Sequence, residues 1–167
     1  MKDVLATLAL LRFELLTSKQ IVDAAAIALT GGGSALDVAL ASLYPDDYES
    51  VDSLLVEALD ASGEAHSDDD VWWAFIGEVA RKVDRGEMNV ECGGRAILRH
   101  TMLTGNSEQY ILDLSGVLSE LDDDGSNPEA LEALGALLGE LRARAAQQRV
   151  GAGGRVSNGL RTAESTQ

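Results

Sequence analysis

Apolar residues return every three or four positions in eight successive segments of this chain, each bounded by capping residues or glycine. Only helices bury a stripe with that period. The composition agrees: Ala and Leu dominate the 46% apolar residues, while aromatics reach 4% and proline occurs twice, which favours helix over strand. The expected fold is all-α, a single-domain irregular helical bundle over residues 1–149 with a flexible tail over 150–167. No residue pattern repeats at a fixed period, so a helical-repeat array is set aside.

The punctuation can be followed along the chain. A first helix runs from about Lys2 to Leu16, and Thr17-Ser18-Lys19-Gln20 supplies a capping box for the second, Ile21 to about Leu29. Gly31-Gly32-Gly33 then resembles a phosphate loop. No Lys with Ser or Thr follows it and no strand precedes it, so a helix end and a Ser34 cap fit better. Pro45 ends the third helix, and Asp46 to Ser50 lead into a fourth with Val51, Leu54, Leu55, Ala58 and Leu59 on its core side. The fifth carries Ser67 as its cap, Asp68, Asp69 and Asp70 in its first turn, Arg81, Lys82 and Arg85 at its end, and Gly86 beyond. Asn89 caps a sixth helix whose first half Gly93-Gly94 should weaken. The seventh spans roughly Glu108 to Leu121. The eighth starts at Ser126 or Asn127, buries Leu131, Leu134, Leu138 and Leu141, and ends near Arg149.

Charge is distributed unevenly. Between Lys19 and Arg81 there is no Lys or Arg in 61 residues, yet 13 acids lie there, while the other 15 acids face 13 bases. Such a stretch projects a negative field that attracts a basic partner and repels nucleic-acid phosphates and anionic lipid. Direct nucleic-acid or membrane binding is therefore not expected. The apolar runs fall far short of the ~20 residues that cross a bilayer. With one cysteine and no secretory layout at Met1-Lys2-Asp3, the expected compartment is the cytoplasm.

Catalytic and metal patterns do not emerge. Cys92, His66 and His100 have neither C-x-x-C nor H-E-x-x-H spacing, so a buried structural cysteine and two ordinary histidines are expected. Asp122-Asp123-Asp124-Gly125-Ser126-Asn127 fails as a calcium loop, because Leu131 occupies the position that requires a bidentate Glu. It reads as a solvated turn and helix start. No metal and no cofactor are expected.

The candidate partner-binding residues are Asp46, Asp47, Tyr48, Glu49, Asp52, Asp68, Asp69, Asp70 and Trp73. Trp72 aligns with Ile76, Val79 and Val83 and belongs in the core. Trp73, about 100° away, either packs another helix against Gly77 and Ala80 or anchors an interface. The acids either keep the chain soluble or form a docking face, and the complete lack of interspersed bases favours the second.

In size, acidity, helical character and lack of catalytic motifs, residues 1–149 resemble the small bacterial immunity proteins, and Asp84-Arg85-Gly86-Glu87-Met88-Asn89 followed by Gly93-Gly94 looks like a helix-to-helix turn of such proteins. The resemblance implies a non-enzymatic protein that covers the basic active site of a cognate toxin, such as a nuclease, in the cytoplasm of the producing cell. An acidic cytoplasmic chaperone for a secreted protein is the alternative. A small helical enzyme with a carboxylate cluster is a third reading, which would need a cleft and perturbed carboxylates. The oligomeric state is left open.

Overall fold

Capping side chains set most helix starts in the computed structural model, which describes residues 3–64, 66–104, 109–123 and 127–155. Among these residues there are eight α-helices and no strand: α1 (Val4–Arg12), α2 (Ser18–Leu29), α3 (Ala35–Ala41), α4 (Tyr48–Ser62), α5 (Asp68–Asp84), α6 (Val90–Thr104), α7 (Gln109–Asp123) and α8 (Pro128–Arg155). Thr17 with Gln20 and Ser34 with Asp37 form reciprocal capping boxes at α2 and α3. Asp47 accepts from the Ser50 amide at 3.0 Å to cap α4. At α5, Ser67 Oγ accepts from the Asp70 amide while Asp70 Oδ2 accepts from the Ser67 amide. Asn89 and Asn127 accept from the amides of Cys92 and Ala130. Each cap satisfies backbone donors that the first turn of a helix leaves open.

Two helix ends differ from the sequence expectation. The first helix stops at Arg12, four residues early, where Leu15 N donates to Leu10 O and Glu14 N to Leu11 O. This is a Schellman motif whose left-handed position is held by Glu14 at φ 58°. The same bonding closes α5 with Gly86 at φ 70°. Glycine announces that turn in the sequence, whereas a glutamate does not. The last helix continues to Arg155 instead of stopping near Arg149. The rest of the expected flexible tail, 156–167, and positions 124–126 of the acidic turn lie outside the described residues.

The described chain divides into two compact units, the first formed by residues up to Phe75 together with those from Gln148, the second by Ile76–Gln147. In the first, α1 packs along α4, α2 along α3, and both α2 and α3 meet α4. Leu8, Leu11, Ile21, Leu40, Val51, Leu55 and Leu59 are buried between them. Each such side chain contributes roughly 1.5–3 kcal/mol of burial. Phe13, Trp72 and Phe75 form an aromatic cluster with ring centroids 4.5–5.6 Å apart. At the N-terminus, Arg149 makes a bidentate pair with Asp3, the cap of α1.

In the second unit α6 packs on α7, and Ile97, Leu114, Leu118, Leu134, Leu138 and Leu141 are buried. Leu131, expected in the buried stripe of α8, is exposed; Ala130 takes the buried position. Gly93 and Gly94 do not disrupt α6, which is helical from Val90. They mark close approach instead: a Cβ at Gly93 would stand 2.7 Å from Val83 Cγ2, and one at Gly94 2.9 Å from Leu134 Cδ1. Helix propensity is overridden here by packing.

Candidate protein-binding surface

All nine candidate residues belong to the first unit, and its elements sort them into three groups. Asp46, Glu49 and Asp69 are exposed, and their carboxylates have no partner among the described residues. Asp46 stands in the turn between α3 and α4, which Ser18 Oγ braces by donating to Pro45 O at 2.7 Å. Glu49 lies in the first turn of α4 and Asp69 in that of α5.

A second group gathers round a cation from outside the base-free stretch. Arg12, at the end of α1, donates from Nε and Nη2 to the two carboxylate oxygens of Asp52 at 2.7 and 2.9 Å. That paired hydrogen bond raises the Arg12 pKa further above its ordinary value, and Tyr48 and Asp68 add to the effect through their fields. Partial burial is the largest cause raising the Tyr48 phenol pKa, followed by the charge of Asp52. Tyr48, Asp52 and Asp68 therefore share one electrostatic neighbourhood. The stretch that contains no Lys or Arg in sequence receives an arginine in space.

The third group is structural. Asp47 and Asp70 cap α4 and α5, and hydrogen bonds from Ser50 hold the Asp47 carboxyl below the usual range. Trp73 is only 4% exposed, so burial removes its ring from any surface in this structure. Val71 to Ile76 are six consecutive buried residues. A helix apolar all round is enclosed, and this run exceeds one full turn, so the signal was present in the sequence.

Sequence reasoning missed a groove between α3 and α4. Ala39, Ser42 and Leu43 line one side and Glu49, Ser50, Ser53, Leu54 and Glu57 the other, around a volume of about 560 Å³. The spacing 49, 53, 57 is one stripe of α4 and could have disclosed it. Ile27, Val38 and Tyr44, at 70%, 56% and 83% exposure, are the most open large apolar residues described in this unit.

The other chemistry-bearing residues stand apart from this surface. Cys92 is exposed rather than buried: it sits at the third position of α6, on the side away from Gly93 and Gly94. His66 lies 3.4 Å from Asp60, and His100 is buried. Among the described residues no group of three His, Cys, Asp or Glu could hold a metal ion, and no helix is long and apolar enough to cross a membrane. No protein-family model matches the chain, and neither a curated protein nor a solved structure matches it.

Proposed function

We propose that this chain is a non-enzymatic binding protein that neutralises a basic protein domain, as an immunity protein occludes the active site of a cognate toxin such as a nuclease. One observation carries the reading: along 46–69 the carboxylates of Asp46, Glu49, Glu57 and Asp69 are exposed and have no partner among the described residues, in a stretch that contains no Lys or Arg. Carboxylates left open in this way keep their full attraction for an incoming cation, and they would take the place of substrate phosphates on a nuclease. Rim charges of this kind act mainly on the association rate and its salt dependence. The proposed site of action is the cytoplasm.

The test is co-expression with the product of the neighbouring upstream gene, followed by size exclusion at low and high salt. A 1:1 complex with a basic domain that is toxic when expressed alone supports the reading. Replacing Asp46, Asp68 and Asp69 with Asn should then slow association and flatten its salt dependence while the fold is retained. Asp47 and Asp70 are left intact because they cap helices. Unchanged association kinetics would remove the acidic stretch from the interface.

The exposed apolar side chains Ile27, Val38 and Tyr44 favour a second reading, an acidic chaperone for a secreted protein. Binding to an unfolded segment, and not to the folded basic domain, would select it.

A further inference from the structure

We propose that the groove between α3 and α4 seats one basic amphipathic helix of the partner, which lays an apolar side chain between two cations. The inference rests on the reading of the chain as a binder of a basic protein and states the chemistry of the segment that docks.

The apolar part of the lining comes from Ala39 on α3, Leu43 just beyond its end and Leu54 on α4, and Ser42, Ser50 and Ser53 complete it. Leu54 was expected in the core of α4, yet it is only half-buried, while Val51, Leu55 and Leu59 are fully enclosed. Part of the apolar face of α4 is thus left uncovered by the fold. Val38, on α3 one turn before Ser42, is 56% exposed. Burying this surface would be favourable in proportion to the apolar area removed from water.

The rim decides what can bury it. Glu49 and Glu57 flank the floor and their carboxylates are unpaired among the described residues. A neutral apolar helix would strip water from both carboxylates without compensation, and an acidic one would add repulsion. The occupant must therefore bring cations. The two glutamates are eight residues apart on one helix, roughly 12 Å along its axis. On a partner helix running beside α4, Lys or Arg at i and i+7 or i+8 spans the same distance, with apolar residues at i+3 and i+4 between them. A trough lined by two helices and open along its outer side matches a third helix better than a small molecule, which is normally enclosed on most of its surface.

The probe is a synthetic 15-residue Ala- and Leu-based helix with Arg at i and i+7, titrated into the full chain by fluorescence anisotropy at constant ionic strength. Glu49→Gln with Glu57→Gln should weaken its binding about tenfold, and Ser53→Arg, which fills the groove and places a cation between the two glutamates, at least as much. Glu132→Gln with Glu140→Gln, exposed on α8, changes net charge equally and should alter binding by less than about twofold. Circular dichroism confirms that each variant folds. Equal weakening by the groove and α8 variants would reduce the effect to a delocalised field and overturn the proposal. So would undiminished binding of a peptide carrying Glu in place of Arg, or no saturable binding to the unaltered chain. If the partner complex forms with unchanged affinity in the groove variants, the groove inference falls and the neutralising function stands. If the peptide binds specifically at the groove but no folded basic domain is captured, the function falls and the groove stands.

Discussion

Gly93→Ala separates packing from helix propensity, because the two predict opposite signs. In an exposed helix interior the exchange stabilises by about 1 kcal/mol. At Gly93 the new methyl carbon would stand 2.7 Å from Val83 Cγ2 and 3.4 Å from Val79 Cγ1. Carbon atoms prefer roughly 3.5–4.0 Å, so the nearer contact is too close by about 1 Å. A valine methyl is stiff at χ1 and cannot swing clear as the end of a long side chain can. Overpacking of this kind costs about 1–3 kcal/mol, which cancels or outweighs the gain in propensity. Gly139 on α8 supplies the comparison, since it is exposed and a Cβ there meets nothing within 4 Å. Gly139→Ala should stabilise by about 1 kcal/mol, so the gap between the two variants measures the overlap alone, about 1–3 kcal/mol. Urea unfolding followed by far-ultraviolet circular dichroism reads it as a difference in midpoint at equal slope. Val83→Ala in the Gly93→Ala background should recover part of the loss, with a coupling of about 0.5–3 kcal/mol. Stabilisation by Gly93→Ala as large as that by Gly139→Ala, or no recovery with Val83→Ala, would refute the overlap at Gly93.

Two further outcomes are expected. Asp37 is 2% exposed, and hydrogen bonds from the side chain and backbone of Ser34 lower its pKa from 3.8 to about 2. Its folded pKa lies below the unfolded one, so its contribution to stability is complete above about pH 4 and lost as the pH falls towards 2. Asp37→Asn should flatten the stability profile in that window, read from urea midpoints between pH 5 and 2; an unchanged slope would contradict the assignment. Trp73→Ala should destabilise by about 3–5 kcal/mol because the ring is enclosed. A thermal midpoint within a degree of the parent would instead place the ring on the surface.

Where local chemistry alone decides, the sequence was sufficient. Thr17 with Gln20, Ser34, Ser67 and Asn89 cap helices as read, and Gly86 closes α5. Features that depend on residues distant in sequence were not legible. Arg12 is 40 positions from Asp52, so a count of bases along the chain could not place it in the acidic stretch. Gly93 and Gly94 look like weak helix formers until Val83 and Leu134 are seen against them. Trp73 differs from these: the unbroken apolar run Val71 to Ile76 signals burial all round, and a helical wheel that assigns a single buried face overlooks it. Asp47 and Asp70 carry the same charge as Asp46 and Asp69, and only hydrogen bonding distinguishes a cap from an open carboxylate.

The pairing of Arg149 with Asp3 bears on the order in which the protein can assemble. The first unit takes its main body from the start of the chain and closes with residues from Gln148 onward, and this ion pair joins the two parts. Domains ordinarily fold in sequence as they leave the ribosome, the N-terminal one first. Here α1 to α4 emerge early, but the arginine that grips the first helix at its cap is made only after all of the second unit has been synthesised. The unit that carries the acidic surface is the first begun and the last completed.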